Sequence, residues 1–149
     1  MPYCTTEDLK KLTDETTLLR FCDDAQTAVD LNDAAVAAII VEAVVQADSE
    51  IDGYLAGRYK TPLEPVPRII MALSARITIY NLAMRRPAET EDRWKDRYKR
   101  AVEMLTQISR GVVRIGAVEL DAKETEKESG SMVVSARRQI FTGSFLDRM

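Results

Sequence analysis

Between Asp33 and Leu55, apolar residues recur at three- and four-residue steps, and three prolines at 62, 65 and 67 follow. Val36, Ile39, Ile40, Ala43, Val44, Ala47, Ile51, Tyr54 and Leu55 fall on one face of a helix with 3.6 residues per turn. Asn32 or Asp33 can cap that helix, since either side chain accepts from a free backbone N–H of the first turn. About 25 residues at 1.5 Å each reach roughly 37 Å, enough to cross a domain of this size. Gly53 and Gly57 each cost about 1 kcal/mol in a helix interior, so the end is expected to fray, bend or meet a neighbouring backbone closely. Each proline removes an N–H and restricts the residue before it, which forces an extended connection.

The other elements follow from similar local chemistry. Thr5 with Asp8 has the spacing of a capping box, with Leu9 and Leu12 turned inward, and Thr13-Asp14-Glu15 repeats a cap before Leu18, Leu19 and Phe21. Residues 6–21 therefore read as short helical turns on either side of a bend, with the apolar pattern interrupted at Asp23-Asp24. Pro67 suits the start of a helix over Arg68 to about Arg85, which is apolar around most of its circumference and belongs at the centre. After Arg86-Pro87, a helix beginning at Thr90 carries Trp94, Tyr98, Ala101, Leu105 and Ile108 in one narrow seam. Gly111 is placed to close it in a left-handed conformation. Residues 119–131 are charged and small and read as an arm or long loop. Met132 to Ala136 favour a strand, which must pair with Ala117–Leu120 or with another chain to satisfy its backbone groups. The expected fold is all-α: a small domain of about four helices over 1–116, and an extended C-terminal arm over 117–149 containing a short β segment.

Composition narrows the chemistry. Histidine is absent from the 149 residues, which removes the commonest general base near neutral pH and the commonest zinc ligand. The two cysteines, Cys4 and Cys22, cannot make a four-ligand zinc site by themselves and are expected to be reduced packing residues. Gly53-x-x-x-Gly57 lacks the Lys-Ser/Thr of a phosphate loop. Carboxylates cluster at Asp48, Glu50 and Asp52 and at Asp121, Glu124, Glu126 and Glu128 without the spacing of a calcium loop, and read as solvated charge. No catalytic, cofactor or metal residue is assigned, and the chain is expected not to be an enzyme. No apolar run approaches a membrane span and no secretion signal opens the chain, so no membrane partner is expected.

The net charge of −3 conceals a division. Residues 1–57 carry twelve acids and three bases, net −9, whereas residues 58–116 carry six acids and thirteen bases, net +7. Either the halves neutralise each other within one subunit, or an acidic face meets a basic face on the next copy, a head-to-tail contact that closes into a ring if the rotation fits. Mixed charge around Trp94 and Tyr98, with a sequence pI near 5.1, argues against direct DNA binding by that helix. In the arm, Met132, Val133 and Val134 suit strand addition to a partner. Arg137, Arg138, Ile140, Phe141 and Phe145 combine arginine with aromatic anchors of the kind that dominate binding, and this segment either docks on its own domain or inserts into a partner. These eight residues are the candidate partner interface.

Several motifs follow one another in order: Tyr3-x-Thr5-x-Glu7-Asp8-Leu9; Ala47-Asp48-x-x-Ile51-Asp52-Gly53-Tyr54-Leu55-x-x-Arg58-Tyr59; Pro62-Leu63 and Pro67; Arg97-Tyr98-Lys99-x-Ala101-x-x-x-Leu105; Ile108-x-x-Gly111; and Arg137-Arg138-Gln139-x-Phe141. Together they resemble the small head-tail connector family of Mu-like phages and prophages. The resemblance implies a structural virion protein that forms a ring under the portal, completes the DNA-filled head and offers the tail a docking surface. Implied partners are copies of itself, the portal protein and the next neck or tail-terminator protein, with genomic DNA passing through the lumen without sequence-specific contact. The implied location is the neck of the virion, after synthesis in the bacterial host cytoplasm. The alternative is a small helical DNA-binding regulator of a mobile element.

Overall fold

The computed structural model describes residues 1–23, 30–86 and 92–120. Five helices appear among them: α1 (Thr6–Lys10), α2 (Glu15–Cys22), α3 (Ala34–Leu55), α4 (Arg68–Met84) and α5 (Asp92–Ser109). The expected bend within 6–21 separates α1 from α2, which accounts for five helices where about four were expected. No strand forms among the described residues, so the domain is all-α.

Local caps set the boundaries. The Thr5 backbone N–H and hydroxyl both donate to the Asp8 carboxylate at 3.1 and 2.8 Å, while Lys11 reaches the same group at 2.8 Å. Those bonds, led by the one from Lys11, draw the Asp8 carboxyl down to about 2. Asp14 accepts from the Thr17 N–H at 2.9 Å to start α2, and Asp33 accepts from the Ala35 N–H at 2.9 Å to start α3. Gly111, at φ +76°, ends α5 as expected, with its N–H on the Ile108 carbonyl and that of Val112 on the Gln107 carbonyl, both at 3.0 Å. This pair of bonds is the Schellman arrangement, and it satisfies carbonyls that the helix end would leave free.

The central helix is α4, packed against each of the other four. Ile70, Leu73, Ala75, Ile77, Ile79, Leu82 and Ala83 are all buried on it, together with Ser74 and Thr78. Each fully buried Leu or Ile contributes roughly 1.5–3 kcal/mol, so α4 anchors the fold. One end of the core joins Leu9, Leu18, Phe21, Val36, Ile40, Ile79, Leu82 and Trp94. The other joins Ile51, Leu55, Tyr59, Leu63, Ile70, Ile77, Leu105 and Ile108. Along α5 the predicted seam is buried at Trp94, Ala101, Leu105 and Ile108. Tyr98 is only half-buried and stacks on Tyr80 with ring centroids 4.2 Å apart. Phe21 meets Trp94 edge-on at 6.4 Å.

Two expectations are corrected. Gly53 lies inside α3 with open space around it, as has Gly57, so neither glycine serves a close approach. Tyr54, expected on the core face, is exposed. Ala117–Leu120 bonds to the segment just after α3: the Lys60 N–H donates to the Val118 carbonyl at 3.3 Å and the Leu120 N–H to the Arg58 carbonyl at 2.8 Å. Tyr59 and Glu119 form this antiparallel bridge, and Arg58 pairs with the Glu119 carboxylate at 3.3 Å. In the connection between α3 and α4 the Thr61–Pro62 and Glu64–Pro65 peptides are cis.

Candidate assembly surfaces

The N-terminal residues are tied to α3 by a polar clasp. The Tyr3 N–H donates to Asp48 at 2.8 Å, and the Tyr3 hydroxyl donates to Asp52 while accepting the Leu63 N–H at 2.9 Å. Ser74 on α4 completes the set by donating to Asp48 at 2.7 Å. Asp48 and Asp52, four apart, project from one face of α3 onto the same tyrosine. Desolvation first, and the Asp52 hydrogen bond second, push the Tyr3 hydroxyl up to about 12, and burial raises the Asp48 carboxyl. Glu50 in turn accepts from the Tyr98 hydroxyl at 2.8 Å. The acidic cluster 48–52, expected to be solvated, is therefore a structural bonding centre. Its carboxylates lie where buried N–H and O–H groups of distant segments need acceptors.

Beside the clasp runs a groove of about 570 Å³, with Pro2, Ile40, Val41 and Val45 on its walls and Asp48 and Asp52 at one end. Val41 and Val45 are 62% and 57% exposed, so the groove is open and its apolar part is wet. Their i, i+4 spacing adds a second apolar strip to α3 beside the core-facing one. That strip was the signal in the sequence, and sequence reasoning missed it.

The basic half divides its arginines between two tasks. Arg85 donates to the Phe21 carbonyl at 3.1 Å and Arg86 to the Asp23 carbonyl at 2.6 Å, so both grip the C-terminal end of α2, where the helix dipole favours cations. Arg97 reaches the Leu12 carbonyl at 3.4 Å and lies over Trp94 at 5.0 Å, with Arg93 on the same ring at 4.6 Å. The two halves thus meet within one subunit partly through arginine and helix-end carbonyls. Arg76, Arg97 and Arg100, all exposed, line a separate cleft with Leu12. Glu7, Asp14, Glu15, Asp30, Asp33 and Glu42 of the first half are exposed as well.

Among the described residues no group of three or more cysteine, aspartate or glutamate side chains is arranged to hold a metal ion, and no helix is long and apolar enough to cross a membrane. Cys4 and Cys22 are both buried and unbridged, with the Cys4 sulfur 3.8 Å from the Thr78 hydroxyl. The interface residues predicted from sequence, Met132, Val133, Val134, Arg137, Arg138, Ile140, Phe141 and Phe145, lie outside the described residues, as does the expected strand 132–136.

The family model described as Bacteriophage Mu, Gp36 matches residues 3–134, which takes in all five helices and the clasp. The chain belongs to the phage Mu Gp36 family. A Gp36-family relative, the Mu-like prophage FluMu protein gp36 of Haemophilus influenzae (strain Rd), is 31% identical over 97 residues, 65% of this chain. The aligned part spans 66% of that relative's length. Gp36 membership makes this a Mu-like phage protein, in agreement with the coarser part of the resemblance read from its motifs.

Proposed function

We propose that this Gp36-family chain is a structural virion protein, a head-tail connector that forms a ring under the portal and presents a docking surface to the tail. The observation that carries the proposal is the division of charge along the chain, net −9 over residues 1–57 and +7 over residues 58–116, with members of both groups exposed. Arg76, Arg97 and Arg100 on α4 and α5 build an exposed arginine cleft, and Asp33 and Glu42 at and within α3 are exposed acids. Complementary patches on one subunit favour a heterologous contact between copies, and such contacts generate rings. The phage family supports an assembly role. The described side chains work in packing, capping and clasping, and the chain has no histidine to serve as a base. Copies of itself, the portal and the next neck protein are the proposed partners. Met132, Val133 and Val134 contribute to the portal contact by strand addition, and DNA passes through the lumen without being read.

Electron microscopy of the purified protein, alone and mixed with portal, tests this directly. Rings of the protein on the portal are expected. A protein that stays monomeric and off the portal, yet shifts a DNA fragment in a gel at moderate salt, would replace the connector with the DNA-binding regulator.

A further inference from the structure

The groove on α3 combines apolar and acidic parts in a fixed order. From the C-terminal end of the helix, at Leu55, the chain passes Asp52 and Asp48 within two turns and then Val45 and Val41. At about 570 Å³ it falls within the ~300–1,000 Å³ range of pockets that bury most of a small ligand, and nothing among the described residues covers Val41 or Val45. A wet apolar strip bordered by two partly buried carboxylates fits an occupant that carries arginine next to large apolar side chains.

The chain holds one such segment beyond Leu120: Arg137-Arg138-Gln139-Ile140-Phe141, followed by Phe145 and Leu146. We propose that this segment of the same chain docks in the α3 groove, with Arg137 and Arg138 at Asp52 and Asp48 and with Ile140 and Phe141 over Val45 and Val41. Direction and spacing both support that register. The Leu120 N–H is bonded to the Arg58 carbonyl, so the chain departs from the C-terminal end of α3 and meets the acidic end of the groove first. The centre of the carboxylate pair lies seven residues along α3 from the centre of the valine pair, roughly 10 Å. The two arginines lie three residues from the Ile140-Phe141 pair, also roughly 10 Å for extended chain.

Reach is ample. Sixteen residues separate Leu120 from Arg137, up to roughly 50 Å of extended chain, against the two turns of α3 that lead back to Asp48. A tethered segment faces its site at a millimolar effective concentration, which exceeds that of a second copy at micromolar protein. The docking therefore belongs to the single subunit, and it does not depend on the connector reading.

Hydrogen exchange of the full chain, followed by mass spectrometry, tests the proposal. Backbone amides of 137–146 should exchange roughly tenfold more slowly in the wild type than in the V41D/V45D variant, and tenfold dilution of the protein should leave that protection unchanged. Protection of α4 amides checks that the fold survives, which the exposure of both valines favours. An R137E/R138E variant, altered outside the described core, should release the segment equally. Wild-type amides exchanging at the rate seen in the variants would overturn the docking. Protection lost on dilution would overturn it too, by assigning the groove to a second copy.

Discussion

The end of the Arg58 guanidinium occupies the space that a Cβ on Gly111 would need, with its three terminal heavy atoms within 2.8 Å of that position. The last turn of α5 and the exit from α3 are thereby keyed to each other, and Glu119 pairs with the same guanidinium at 3.3 Å. Replacing Gly111 by alanine combines the strain of a side chain at φ +76° with displacement of Arg58. A loss of about 1–2 kcal/mol is expected from a left-handed non-glycine residue, a fall of several degrees in Tm by thermal denaturation. Removing the arginine first, as R58A, should shrink the additional cost of G111A, and a double-mutant cycle showing no coupling would contradict the keyed contact.

Tyr3→Phe tests the clasp. The change removes the acceptor for the buried Leu63 N–H and the donor to Asp52 while leaving the ring in place. Destabilisation of about 1–3 kcal/mol is expected from the unsatisfied groups, measured by urea denaturation. Stability equal to wild type would mean that the clasp contributes nothing.

Alkaline pH should weaken the protein through the same hydroxyl and that of Tyr98. Desolvation, reinforced by a carboxylate acceptor, raises both to about 12 from the ordinary 10. The folded state therefore keeps two protons that the unfolded chain releases. The associated stability is fully present below pH 10 and is lost as pH rises through about 12. Denaturation midpoints should fall across pH 10–12, with a shallower fall in the Y3F/Y98F variant.

Salt should oppose self-assembly. If exposed acids meet the Arg76–Arg97–Arg100 cleft of a neighbour, raising ionic strength from 0.1 to 1 M shortens the screening length from about 10 to about 3 Å and should dissociate the rings. R76E/R100E should assemble poorly even at low salt, as read by analytical ultracentrifugation, because both arginines are exposed and their replacement leaves the core intact. Rings indifferent to salt and to this variant would remove the charge-driven contact.

What the sequence made legible was local. Thr5, Asp14, Asp33 and Gly111 act within a turn of themselves, so their spacing alone announced the helix ends. Trp94, Ala101, Leu105 and Ile108 kept their periodicity because a single core face demands it. Interactions across 26 to 60 residues were not legible: Tyr3 with Asp48, Asp52 and Leu63, Ser74 with Asp48, and Glu50 with Tyr98. A carboxylate looks the same in sequence whether water or a buried hydroxyl faces it, and only tertiary packing decides. The bonding of Ala117–Leu120 to Arg58–Lys60 was not legible because Arg58–Lys60 has no strand pattern of its own. The groove escaped notice for a related reason. Two exposed valines on a helix already rich in apolar residues announce nothing until the core face is known.

The clasp at Tyr3 has a practical corollary for anyone handling the protein. With Pro2 forming part of the wall beside Val41 and Val45, any peptide fused ahead of Met1 starts at the mouth of that cleft. An affinity handle on the amino end would crowd it, so purification should rely on the native chain or on a handle removed before binding is measured.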